Sequence, residues 1–174
     1  SIAENAGSSL TLTATLSVAT TADVTVGIST SGTGTEGTDY STISDITISA
    51  GATTGTASFT PTDDSVYEGN ETGIVAISTV SGGSATEDGT QSVTITITEN
   101  ESSPTVTLAT SATSIAENSG STLTLTATIS QAADEDVTVN LGAAGTSTNG
   151  TDYGSLSSIT VSAGATTGTA TFDP

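Results

Sequence analysis

The chain has 174 residues with 19 Asp and Glu, no Lys, Arg, His or Cys, and a formal net charge of −19. Average usage would give a chain of this length roughly 20 Lys and Arg, so the lack of basic residues is a property of the protein. It excludes disulfides, side-chain ion pairs and phosphate recognition by basic groups, and no apolar run reaches the ~18 residues of a membrane helix.

Near the N-terminus, SLTLTATLS (residues 9–17) sets Leu10, Leu12, Ala14 and Leu16 on alternate positions with Thr between them. That is the period of a half-buried strand. Further strands are predicted at 23–29, 45–49, 55–59, 73–80 and 92–98, separated by turn signals at Ala50-Gly51, Gly82-Gly83 and Asp88-Gly89. A polar, Pro-containing linker at 101–104 leads into a strand at 105–110. No window shows a helical period. High charge with few aromatics would also suit a disordered chain, but regular Thr/apolar alternation favours strands. About seven short strands per domain reads as an all-β, Ig-like antiparallel sandwich. Its core is expected from Ile, Val, Leu and Ala, anchored by Tyr40 with Phe59 and by Tyr153 with Phe172.

The chain repeats itself. SIAENAGSSLTLTATLS from Ser1 recurs as SIAENSGSTLTLTATIS from Ser114, an offset of 113 residues that holds without a gap to Pro174. About two-thirds of the 61 aligned positions are identical. A period this long is a whole domain, not a solenoid turn. The expected division is 1–103, a sandwich lacking a counterpart of the 105–110 strand, and 104–174, the first part of a second repeat. A missing edge strand also leaves a sandwich open to donation by a neighbour.

The acidic residues cluster most densely at Asp63-Asp64-Ser65-Val66-Tyr67-Glu68-Gly69-Asn70-Glu71, between two predicted strands and so in a loop at one end of the sandwich. Calcium takes six to eight oxygens, many from carboxylates, and such a loop supplies several. Asp23, Glu36, Asp45, Glu87, Asp88 and the run Asp134-Glu135-Asp136 read as solvated turn positions. Sequons at Asn70, Asn100 and Asn149 are too short a signal to argue from. Without His, Cys or Lys there is no activated serine, thiolate or Schiff base. A Glu68/Glu71 carboxylate pair lacks the aromatic platforms of a sugar site. The chain is read as a non-enzyme.

Several stretches together resemble the Calx-β domain, the sandwich of sodium–calcium exchangers and of large bacterial surface proteins of adhesin type. SIAEN is similar to the family's start, where a Glu closes the first strand. GTEGTDY is similar to its GTA-x-x-G-x-DY motif. AGATTGTASFTPTDDSVYEGNET runs from a Gly turn through a strand to a D-D-x-x-x-E-x-x-E loop, and TITITENE resembles the last strand and acidic end. The resemblance covers essentially the whole chain. It implies calcium as the cofactor, with ligands at Glu4, Asp39, Asp63, Asp64, Glu68 and Glu71, the Val66 carbonyl, and Glu99 and Glu101 as the terminal acidic run. In the second repeat it implies Glu117 and Asp152. Asn100 between two Glu, where strong binders have consecutive Asp, implies fewer ions or weaker affinity than in the exchangers.

The function expected from this reading is an extracellular, secreted or cell-surface repeat protein that forms a calcium-stiffened stalk or filament. Its partners would be neighbouring repeats and other copies in a filament, without nucleic acid or membrane insertion. The alternative is a calcium-dependent module that recognises a polysaccharide or surface receptor. The near-identity of the repeats favours the first, since spacers tolerate copying while specific binders diversify.

Overall fold

A computed structural model describes all residues, 1–174. The chain is all-β and divides into two compact units, Ser1–Asp64 with Gly69–Asn100, and Ser65–Glu68 with Glu101–Pro174.

The first unit contains seven strands: β1 (Ile2–Ala3), β2 (Leu10–Thr15), β3 (Val24–Gly32), β4 (Ile46–Ile48), β5 (Thr54–Phe59), β6 (Glu71–Ser81) and β7 (Ser92–Thr98). The larger sheet runs β1-β7-β6-β3-β4 and the smaller pairs β2 with β5. Alternation does the work expected of it: in β2 the Leu and Ala positions are half-buried and each Thr is exposed. The principal core cluster joins Ile2, Val75, Ile95 and Ile97 of the larger sheet to Phe59 of the smaller one, with Tyr40 and Ile43 from the connecting segment. A second cluster unites Val24, Val26, Ile46 and Ile48. Phe59 is fully buried and stacks on Tyr40 at a centroid distance of 4.6 Å. The stack needs a glycine beside it, because a Cβ at Gly73 on β6 would lie 2.8 Å from Phe59 Cε2.

The second unit contains β8 (Val106–Thr110), β9 (Leu123–Ile129), β10 (Val137–Val139), β11 (Ile159–Val161) and β12 (Thr167–Phe172), in sheets ordered β12-β9-β8 and β10-β11. The repeat is structural as well as sequential. Leu10 pairs with Phe59 in β2–β5, and Leu123 pairs with Phe172 in β9–β12. Tyr153 stacks on Phe172 at 5.0 Å, as Tyr40 does on Phe59. Ala127, Ile129, Ile159 and Val161 form the core. Ser65–Glu68 joins this unit through Tyr67, whose N–H donates to Ala132 O at 2.9 Å and whose carbonyl accepts from Asp134 N at 3.2 Å.

The first strand that the resemblance places before Glu4 is present as the two-residue β1, held by a parallel pairing with β7, far along the chain. Two findings depart from the sequence reading. Glu71 opens β6 instead of closing the acidic loop. Glu36 is not a solvated turn residue: its Oε2 accepts from Thr30 Oγ1 at 2.6 Å and its Oε1 from Ile43 N at 2.7 Å, both part-buried. Other acidic turn residues are exposed but also meet backbone donors. Asp23 accepts from Ala50 N and Asp136 from Ala163 N, both at 2.8 Å. Glu87 accepts from Gln91 N. Asp45 accepts from Ile28 N at 3.0 Å, where β3 bulges between Gly27 and Ile28 and its register with β6 shifts. With no basic side chain in the sequence, backbone N–H groups take that place.

Candidate metal centre

In the first unit, strand order brings three acidic residues to one end of the larger sheet. β1 runs parallel to β7 with Ile2 opposite Ile97 and Ala3 opposite Thr98. Glu4 N then donates to Thr98 O at 3.0 Å, so the next residue on each strand, Glu4 and Glu99, lie side by side. Ile97 also faces Glu71 across β6–β7. Glu71 therefore starts at the same sheet end.

Glu4 is 6% exposed and is the one buried charged residue of the chain. Its Oε1 accepts from Asp64 N at 3.3 Å. The half-buried Glu99 accepts from Gly69 N at 2.8 Å and from Asn100 N at 2.9 Å, while its own N–H donates to Asn70 Oδ1 at 3.0 Å. Gly69 has φ +76°, a left-handed conformation suited to glycine. Carboxylate oxygens of Glu4 and Glu99 lie within 4.8 Å of one another.

A second pair, Asp39 and Glu71, is equally close. Asp39 is fixed by its own turn. Its Oδ2 accepts from Thr35 N at 2.5 Å, its N–H donates to Thr35 O, and its carbonyl accepts from Thr62 N at 2.9 Å. Glu71 Oε2 lies against Gly34, where a Cβ would come within 3.2 Å. Gly34 is itself buried and donates to Thr72 O at 3.0 Å.

Asp63 and Asp64 have exposed side chains. Val66 and Glu68 belong to the second unit, as does Glu101. In sequence, Glu68 directly precedes Gly69 and Glu101 directly follows Asn100. Within the second unit, Glu117 and Asp152 line an open cleft of 310 Å³ together with Asp173. Asp152 Oδ2 accepts from Thr148 N at 2.6 Å, repeating the Asp39 turn. Asp173 escaped the sequence reading because its counterpart one period earlier is Thr60.

Two ionised carboxylates at the separation found here repel by about 3 kcal/mol at an effective dielectric of ~20, and no basic side chain exists to offset this. The donors are hard oxygens, with no thiol or imidazole anywhere in the chain. Such a set suits calcium, and not the softer metals that select sulfur and nitrogen.

The model of the Calx-beta domain matches residues 1–101 and again residues 99–167. The chain belongs to the Calx-beta family. It carries two Calx-beta domains in tandem, and Calx-beta domains are calcium-binding modules, not enzymes. A similar solved structure is titled the crystal structure of CBD12 from CALX1.2, at 16% identity and a TM-score of 0.48, covering 99% of this chain and 70% of that one. Among curated proteins, none matches the chain.

Proposed function

We propose that this tandem Calx-beta segment is a calcium-stiffened structural element of an extracellular or cell-surface repeat protein. The observation that carries the reading is the burial of Glu4 beside Glu99 in a chain without a basic side chain. Burying carboxylates is costly unless each is hydrogen-bonded and its charge compensated. A divalent cation supplies the compensation.

In this reading calcium is held by Glu4 and Glu99, and by Asp39 and Glu71. Asp63 and Asp64 are further donors of the first unit, and the family resemblance adds the Val66 carbonyl, Glu68 and Glu101 as expected ligands. Glu117 and Asp152 are the corresponding ligands of the second repeat. The chain's own residues do the rest. Gly69, Asn70 and Asn100 hold the Glu99 backbone and carboxylate in place, and the Thr35–Asp39 turn aims Asp39. Without calcium, like-charge repulsion loosens the loop at 61–71 and the linker at 99–104. With calcium, both tighten, and a string of repeats becomes stiffer. Millimolar calcium and abundant salt outside cells fit a surface this acidic.

The test is small-angle scattering of a multi-repeat array in calcium and then in chelator. The reading expects a longer persistence length in calcium. Equal stiffness in both would remove the structural role even if calcium binds.

A further inference from the structure

Glycine follows Asp or Asn at two places in the chain, Asp88-Gly89 and Asn149-Gly150. At such a pair the glycine nitrogen can reach the side-chain carbonyl carbon of the preceding residue, because no Cβ stands in the way. Attack there forms an N–C bond and closes a succinimide ring. The C–O bond of Asp breaks with loss of water, or the C–N bond of Asn with loss of ammonia. Water then reopens the ring at either carbonyl. One product is Asp; the other is isoaspartate, in which the main chain runs through the side chain. In an unstructured chain the Asn-Gly pair reacts faster, since a neutral amide is attacked more readily than a carboxylate.

The fold reverses that order. Open space does not separate the two pairs: both glycines are left-handed, with φ +68° and +79°, and a Cβ on either would meet nothing within 4 Å. Hydrogen bonding does. Asp88-Gly89 lies exposed in the connection between β6 and β7. Neither the Asp88 carboxylate nor the Gly89 nitrogen has a hydrogen bond within the chain. The bonds of this loop fall elsewhere: Gln91 Nε2 donates to the Asp88 carbonyl at 2.6 Å and Gln91 N to Glu87 Oε1 at 2.8 Å.

At the other pair the nitrogen is committed. Gly150 N donates to Tyr153 O at 2.8 Å, and Thr151 N and Asp152 N both donate to Thr148 O. Thr148 N in turn donates to Asp152 Oδ2 at 2.6 Å. The accepting residue is itself fixed, since Tyr153 is buried and stacks on Phe172. The same turn recurs in the first repeat, where Gly37 N donates to Tyr40 O at 2.7 Å. There Glu36 stands in the place of Asn149, and its longer side chain closes such a ring far less readily.

We propose that Asp88 converts to isoaspartate in the folded chain, while the turn at 148–153 keeps Asn149 unreacted. Ring closure at Asn149 requires a local opening of the turn that frees Gly150 from Tyr153. Ring closure at Asp88 requires none. The product lengthens the main chain of the β6–β7 connection by one atom. Ile77 N donates to Gln91 O at 3.1 Å, which closes the hairpin past the altered residue, so the β6–β7 ladder keeps its register. This goes beyond the calcium reading and does not depend on it.

Peptide mapping of the intact chain after prolonged incubation at neutral pH is the test, in buffer and in unfolding urea. A protein isoaspartyl methyltransferase labels the product, and mapping assigns the label to 88 or 149. In buffer the label should appear at Asp88, with Asn149 intact. In urea Asn149 should speed up by about tenfold or more as its turn is lost, and overtake Asp88. Asp88→Glu keeps the charge and should reduce the label on the folded chain to background. Asn149 reacting equally fast in buffer and in urea would overturn the shielding. A folded parent that takes no label at 88, or folded Asp88→Glu labelled as strongly as the parent, would overturn the assignment of Asp88.

Discussion

Glu4 and Glu99 lie side by side at one end of the larger sheet because a two-residue strand pairs in parallel with β7 and stops one residue short of each carboxylate. Glu4 is buried there and takes the Asp64 N–H, while Glu99 takes the N–H groups of Gly69 and Asn100. One short pairing thus links the N-terminal segment, the acidic loop and the last strand of the first unit.

The Glu4→Gln variant keeps the side chain's shape and removes its charge. Calorimetric titration should show calcium affinity falling by about tenfold or more, equivalent to at least ~1.4 kcal/mol. In chelator the variant should be no less stable than the parent, because it relieves like-charge repulsion. Unchanged affinity would take Glu4 out of the site.

Glu36 is the internal control. Removing it by Glu36→Ala leaves Thr30 Oγ1 and Ile43 N without their part-buried acceptor. The expected cost is about 1–3 kcal/mol, the same in calcium and in chelator. Amide exchange at Ile43 should accelerate. A loss that appears in calcium alone would mean that Glu36 acts on the metal.

The stack of Tyr40 on Phe59 sets the tolerance of the core. Phe59→Ala should cost ~3–5 kcal/mol in denaturant unfolding. Gly73→Ala should cost ~1–3 kcal/mol by forcing a Cβ against the Phe59 ring. If Gly73→Ala is neutral, the ring has room to shift and the packing is looser than described.

Sodium chloride should raise the unfolding temperature gradually by screening a net charge of −19. Calcium at matched ionic strength should raise it further and saturate. Identical curves for the two salts would reduce the acidic residues to a screened surface.

Much of the fold was legible because Thr alternates with Leu, Val and Ile. β2, β4, β5 and β7 fall where that alternation does, and the 113-residue repeat carries β2 and β5 onto β9 and β12. β1 was legible only through the SIAEN resemblance, since two residues have no period and their pairing comes from a partner nearly the whole unit away. Asp39, Glu71, Glu4 and Glu99 were readable as acidic residues of the right motifs, but which carboxylates come close depends on strand order. Glu36 and Asp45 look like any turn carboxylate in sequence. Only the fold shows that the backbone N–H groups of Ile43 and Ile28 are aimed at them. Asp173 had no acidic counterpart at Thr60 to mark it.

Thermal unfolding of the intact chain in saturating calcium and in excess chelator, at equal ionic strength, tests the central claim most directly. A ligand bound to the native state at ~100 times its Kd adds about 2.7 kcal/mol, which for units of this size moves the midpoint by on the order of 10 °C. A rise of that order, lost in the Glu4→Gln and Asp39→Asn double variant, is the expected result. Superimposable transitions in calcium and chelator would contradict the account and leave the buried Glu4 to be held by the protein's own donors.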